Sequence, residues 1–384
     1  MINQDIINDL KNIFHLNTSE NISLLFAFNP SHELALADNH SNFTPNAMVA
    51  MMEEQLFELA LLFAGDNDYV LSLADNTVYD SKGNQTTITG KTIIPFPWGW
   101  NRSVKEKYRK AGVEENHLPT DACLQQLRKL ASREFAVYYI GVFLSRSPQD
   151  ITGKLVGHHM SFHKSMDSFE PLQDAMIFKQ PWSTSGRGNF VADKFDENTA
   201  RRLNGFLRTQ GGFLADVFYE KLLDFAMEFY IFSDGSARFI GYSLFQASIN
   251  GKYGGNLVAG QEEIKERIIR VFGDADLLDD LRNAHQLLLS EMLGEKYTGF
   301  VGIDMMAVKK DGNVCCHPCV EINLRMNMGI TAMAAYRCPF LFFDLEEDSE
   351  GAVLRSSAFS SPERRRERGF HTLLKSRFIS IIYS

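Results

Sequence analysis

Glu321-Ile322-Asn323-Leu324-Arg325, read with Gly302-Ile303-Asp304 upstream, decides the architecture. Phe300 to Lys309 and Asn313 to Asn323 are largely apolar runs joined by the turn dipeptide Asp311-Gly312, and they read as a hairpin. Side chains alternate along a strand, so Glu321 and Asn323 share one face, and Arg325 joins them if the strand continues. Asp304, on the other arm, can lie opposite. Three oxygen-bearing side chains converging on a rigid sheet form a donor set that Mg²⁺ prefers, with phosphate oxygens completing the octahedron. Plain solvent contact on a half-exposed strand would also explain them, but Ile303, Val320 and Ile322 mark the neighbouring face as core. An arginine beside a metal–phosphate site can neutralise charge that develops during phosphoryl transfer. Glu228, on the strand Phe225 to Phe232, is a candidate for ribose or adenine contact; a surface strand carboxylate explains it equally well.

Further upstream, the strand Ala175-Met176-Ile177-Phe178-Lys179 ends in a lysine and leads into Ser183-Thr184-Ser185-Gly186-Arg187-Gly188-Asn189. Small residues let backbone N–H groups turn inward on a phosphate, and a lysine adds a point charge. No Gly-Lys-Ser/Thr follows, so this is not a P-loop, and no G-x-G-x-x-G opens a helix. A surface hairpin accounts for the glycines as readily.

Taken together, these residues resemble the ATP-grasp superfamily. The resemblance rests on Ile177-Phe178-Lys179-Gln180-Pro181 with its Gly-rich loop, on Gly302-Ile303-Asp304, and on Glu321 to Arg325, which looks like that superfamily's E-I-N-x-R signature. Arg133 stands 46 residues before Lys179, where the family order has a basic residue, here Arg for the usual Lys. The resemblance covers about residues 130–340. It implies an α/β N-terminal domain (1–130), then an α+β ATP-grasp core of two lobes clamping ATP (131–345, with a lid lobe at about 150–218); the remaining residues read as a basic C-terminal tail (346–384). Carried over residue by residue, Arg133 and Lys179 would hold phosphates. Ser185, Gly186, Arg187 and Gly188 would close over them, and Asp304, Glu321 and Asn323 would hold Mg²⁺. Arg325, with Lys179, would steady the transferring group. Asp216 would take the place of the family's glutamate near the adenine, with Glu220 following. The implied activity is Mg-ATP-dependent ligation of a carboxylate to an amine through an acyl phosphate; the alternative is a kinase-like or non-catalytic ATP-binding protein of the same fold.

Before this core, Leu24 to Phe28 reads as a buried strand, followed by a polar loop from Asn29-Pro30 through Asn46. Asn29, His32 and Glu33 sit just past that strand, where α/β sheets often place ligand contacts, and they are the substrate candidates. Ala47 to Ala64 carries helical spacing and Tyr69 to Leu73 another apolar run, an order that predicts a parallel α/β unit. Pro95-Phe96-Pro97-Trp98-Gly99-Trp100 reads as a connecting loop whose tryptophans line a pocket or pack between domains.

Composition bounds the partners. The 384 residues carry a net charge of −9, which disfavours non-specific binding to a nucleic-acid polyanion. No apolar run approaches the ~18 residues of a membrane span, and Met1 to Phe14 lacks the pattern of a signal peptide, so a cytoplasmic protein is expected. The expected partners are small-molecule or peptide carboxylates and amines; a homo-oligomer stays open. Cys316-His317-Pro318-Cys319 has the spacing of a zinc knuckle or redox pair. No second pair accompanies it, and ordinary half-buried strand cysteines are the favoured reading. The charged run Glu363 to Arg368 reads as a solvated, mixed-charge segment rather than a partner contact.

Overall fold

The computed structural model describes residues 2–17, 21–183, 186, 188–247 and 253–337, with the backbone of 346–348, 351–355 and 380–383. The chain opens with α1 (Gln4–Ile13), β1 (Ile22–Ala27), α2 (His32–Asp38), α3 (Ala47–Leu56), β2 (Tyr69–Leu71), β3 (Val78–Asp80), β4 (Gln85–Thr86) and β5 (Thr92–Pro97). The five strands form one sheet in the order β4-β3-β2-β1-β5, with β1 parallel to both β2 and β5. β1 reads as a continuous apolar run because both its faces are covered. Leu24 and Phe26 join a core shared with α1, while Leu25 and Ala27 pack with Tyr108 of α4 (Arg102–Lys110). The Tyr108 hydroxyl donates to the Leu25 carbonyl at 2.9 Å.

Two expectations need correction here. The polar stretch after β1 is not loop throughout, because α2 occupies its first half. Nor does Pro95-Phe96-Pro97 interrupt structure: it continues β5, which lies at the sheet edge, where a missing N–H costs no ladder bond. Trp98 then packs on Phe28 with ring centroids 4.6 Å apart and joins the cluster that holds Tyr230, Phe232 and Phe300. Of the two readings of the tryptophans, packing between sheets describes Trp98.

Next come α5 (Asp121–Leu130), α6 (Arg133–Arg146) and the short α7 (Gln149–Thr152), then β6 (Ser161–His163), β7 (Met176–Lys179), β8 (Phe190–Ala192), α8 (Glu197–Gln210) and β9 (Phe213–Val217). These strands make an antiparallel sheet, β6-β9-β7-β8. One face, with Phe178, Phe213 and Ala215, packs on Leu203 and Phe206 of α8. Alternation puts Lys179, Leu214 and Asp216 on the other face, and Leu214 enters the core of the third sheet.

That third sheet is built from β10 (Glu220–Ile231), β11 (Ala237–Ala247), β12 (Tyr253–Val258), β13 (Gly299–Lys310) and β14 (Asn313–Asn323). Helices α9 (Gln261–Phe272) and α10 (Ala275–Leu293) intervene, α11 (Met328–Arg337) follows, and the backbone strands β15 (Glu346–Asp348), β16 (Gly351–Arg355) and β17 (Ser380–Tyr383) extend the far edge. The order is β14-β13-β10-β11-β12-β17-β16-β15. Phe225, Met227, Phe229 and Ile231 of β10, with Val301, Ile303 and Met305 of β13, form one core with α6, α9 and α10. Each such side chain, fully buried, contributes roughly 1.5–3 kcal/mol. The opposite face is therefore the one that presents Glu228, Asp304, Glu321 and Asn323. The run from Glu363 to Arg368 lies outside the described residues. Among the described residues, no helix is long and apolar enough to cross a membrane.

Candidate functional site

The floor of the site is the hairpin β13–β14. Asp304 stands directly opposite Glu321, and Gly302 opposite Asn323, a pairing that the register counted back from Lys310 opposite Asn313 does not give by itself. Beyond Asp304 the pairing shifts to Met306 opposite His317. The extra residues on β14 include Pro318, which has no N–H to give the ladder. Burial, followed by the neighbouring charges of Glu321 and Glu228, holds the Asp304 carboxyl well above the usual carboxylate range.

Over this floor hang two cations from other elements. Ser132 caps α6 by accepting from Glu134 N at 3.3 Å, which places Arg133 at the first helical position. Arg133 is buried, and its Nη2 donates to Glu321 Oε1 at 2.7 Å. Its Nη1 donates to the Gln180 carbonyl at 2.6 Å and to Ser183 Oγ at 2.8 Å. One guanidinium thus joins the hairpin floor to the chain leaving β7. Lys179 ends β7, is buried, and has its pKa lowered by desolvation and by Arg133 against the attraction of Glu321, Asp216 and Asp304. The sequence-predicted Lys179, Arg133, Asp304 and Glu321 are therefore neighbours, although 188 residues separate Arg133 from Glu321. Gly186 and Gly188 both adopt positive φ, the left-handed region where glycine is at ease. Ser185 and Arg187 lie outside the described residues.

Arg325 departs from the simple expectation. The strand ends at Asn323, so Arg325 reaches the site from the segment beyond it. Its Nη2 donates to Asn323 Oδ1 at 3.0 Å, its Nη1 to the Met326 carbonyl at 3.0 Å, and its Nε to Glu33. Burial opposes its charge, but Glu33, Glu321 and Asp304 hold its pKa above the ordinary value. Glu33 and Arg325 thus meet directly, linking the substrate candidates after β1 to the hairpin. Neighbouring His32 is buried, with desolvation lowering its pKa to about 4. Asn29 has a structural job: its Nδ2 donates to the Gly99 carbonyl at 2.9 Å, and its Oδ1 accepts from Gly99 N at 3.1 Å.

Two further carboxylates are buried and partnered. Glu228 is no surface carboxylate, being 1 % exposed. It accepts from Asn327 Nδ2 at 2.6 Å and from Ser243 Oγ at 3.1 Å, and burial raises its pKa to about 7. Asp216 is engaged by His317, whose Nε2 lies 2.9 Å from Asp216 Oδ2, so the carboxylate ties β9 to β14. Sequence reasoning missed Asn327 and His317. Asn327 continues the alternation of Asn323 and Arg325, and it caps α11 by accepting from Ile330 N at 3.0 Å, a polar residue just before an apolar helical run. His317 stands inside the Cys316–Cys319 spacing, which hides it from a search for carboxylate partners. Cys316 and Cys319 are fully buried, and desolvation pushes both thiols up.

Two carboxylates and an amide on a rigid strand pair, faced by a lysine and two arginines, suit a polyphosphate carrying a hard cation. Among the described residues, no group of three or more His, Cys, Asp or Glu is arranged to hold a metal ion.

No protein-family profile matches the chain, and no curated protein matches it in sequence. Solved structures similar to it include N5-carboxyaminoimidazole synthetase from Staphylococcus aureus complexed with ADP, at 10 % identity and TM-score 0.44, covering 96 % of this chain and 94 % of that one. D-alanyl-alanine synthetase A from Vibrio cholerae is similar at 11 % identity and TM-score 0.42, covering 83 % of this chain and 92 % of that one. A protein assigned to the ATP-grasp superfamily from Archaeoglobus fulgidus is similar at 12 % identity and TM-score 0.38, covering 82 % and 84 %.

Proposed function

We propose that this chain is an ATP-grasp ligase that uses Mg-ATP to join a carboxylate to an amine through an acyl phosphate. The observation that carries the reading is the meeting of Asp304 and Glu321, opposed across one hairpin, with Lys179 and Arg133 from separate elements above them. Such a site has little need of a protein nucleophile, because phosphoryl transfer asks mainly for positioning and charge neutralisation.

The donor set fits magnesium. All its donors are oxygens, and the two opposed carboxylates gain from a divalent cation between them. Asp304, Glu321 and Asn323 would hold it, and magnesium, when bound, neutralises the terminal phosphates of ATP. Lys179 supplies a buried point charge to the phosphate oxygens. Arg133 orients Glu321 and holds the chain at Gln180 and Ser183. Arg325 meets the transferring phosphoryl group and then the acyl phosphate. Glu228 and Asn327 brace the floor from beside Asp304 on the same face of the sheet. The Gly186–Gly188 segment and Asp216 are the elements proposed to lie along the nucleotide, Asp216 through its tie to His317.

The test is a panel of amino acids and short peptides assayed for ATP-dependent phosphate release, with product masses measured. Release that requires both a carboxylate and an amine, and a hydroxamate formed when hydroxylamine replaces the amine, is the expected result. A stable phosphorylated product without an amine would mean a kinase. Glu321→Ala with undiminished turnover would remove the site assignment.

A further inference from the structure

Arg325 meets an incoming anion with its places already taken. Two of its nitrogens are held by groups close in the chain, Asn323 Oδ1 and the Met326 carbonyl, each at 3.0 Å. The Nε edge is given to Glu33, which comes from a distant element. We infer that Glu33 is a placeholder anion for Arg325: a positioning residue that holds the guanidinium aimed and yields it to the terminal phosphoryl group of the nucleotide. This rests on the Mg-ATP reading of the site.

The corner that carries Glu33 is fixed. Asn29 clamps Gly99, and Met326 N donates to the Trp98 carbonyl at 2.8 Å, so the end of the first sheet and the segment after β14 are bonded together. Glu33 therefore reaches Arg325 from an anchored backbone. The pair is largely buried, at 17 % exposure for Arg325 and 12 % for Glu33, so neither charge is screened by water as a surface pair would be. Arg325 already feels Glu321 and Asp304, so a polyphosphate arriving there brings more negative charge into a crowded acidic corner. Asp304 and Glu321 are the proposed magnesium ligands, so Glu33 is the carboxylate left to give way. A purely structural ion pair would shape stability and treat every nucleotide alike; a placeholder competes specifically with the group that Arg325 reads.

The experiment titrates Mg-ATP and Mg-ADP into the wild-type protein, Glu33→Gln and Glu33→Asp. Removing the competing charge should tighten Mg-ATP about tenfold in Glu33→Gln while Mg-ADP stays within about twofold, with Glu33→Asp between. Equal changes for the two nucleotides, or no gain for Mg-ATP, overturn the inference. Should Glu33→Gln fail to fold with Arg325 left unpaired, Glu33→Asp, which keeps the charge and shortens the reach, decides on the same ATP-to-ADP criterion. A wild-type protein that binds neither nucleotide removes the Mg-ATP reading and this inference with it, an outcome distinct from an unchanged ratio.

Discussion

Gly302 shows how closely the floor is fitted. A Cβ there would come within 2.1 Å of Asn327 Nδ2 and 2.7 Å of Glu228 Oε2. Asn327 has little room to retreat, because its amide nitrogen serves Glu228 while its amide oxygen caps α11. Gly329 makes the same provision on the other side of the carboxylate, with Glu228 Oε1 at 2.3 Å and Ser243 Oγ at 2.5 Å from the place its Cβ would take. The glycine of Gly302-Ile303-Asp304 is thus explained by a buried carboxylate beside it on the neighbouring strand. Gly302→Ala should lose about 1–3 kcal/mol of stability from overpacking, and weaken Mg-ATP by disturbing Asp304 two residues on. Denaturant midpoints and nucleotide titration check both. An alanine variant of wild-type stability would mean that Glu228 and Asn327 part at no cost.

At the scale of elements, legibility followed periodicity. The hairpin β13–β14 declared itself because two apolar runs flank Asp311-Gly312, and alternation alone placed Glu321 with Asn323. The helix α2 did not, because seven residues following Asn-Pro offer too few turns for a helical pattern to show against a polar loop. Prolines hid β5, since a proline argues against a strand until the strand is known to be an edge. Alternation reaches Arg325 only by extending a strand that in fact stops, and its partner Glu33 comes from sequence too distant for any spacing rule. The Asp216–His317 pair belongs to the same class: each residue looks ordinary alone, and only packing of β9 against β14 joins them. Both are buried, so each single loss strands a polar partner. His317→Ala and Asp216→Asn should each cost about 2–4 kcal/mol, and the double variant about 1–3 kcal/mol less than their sum. Denaturation of the four proteins of that cycle measures the coupling, and strict additivity would show that the two elements are not tied there.

Across the whole molecule, buried titratable groups pull stability in opposite directions as pH changes. His285 packs inside the main core, its Nδ1 2.9 Å from the Tyr139 hydroxyl and its ring stacked on Phe143 at 4.3 Å. Burial lowers its pKa from 6.5 to about 3. The unfolded chain therefore protonates this ring near pH 6.5 while the folded chain holds it neutral, so its contribution is whole above that pH. It is lost at about 1.4 kcal/mol per pH unit as pH falls toward about 3. Glu228 works the other way: its folded pKa of about 7 against 4.5 makes the folded state take the proton first, so its contribution is whole below 4.5 and is lost as pH rises through about 7. Total stability over the interval they share is the difference of such terms, and an acid midpoint of the wild-type protein would not separate them. A comparison does. His285→Phe keeps an aromatic ring in the stack and leaves the Tyr139 hydroxyl without its partner, a cost that does not depend on pH. Unfolding free energies of the two proteins, measured from pH 7 to pH 4, should therefore converge or cross as pH falls, the wild type losing about 1.4 kcal/mol per unit relative to the variant. A gap that stays constant across that range would place the histidine's proton outside the folding equilibrium and refute the assignment of a neutral, desolvated ring.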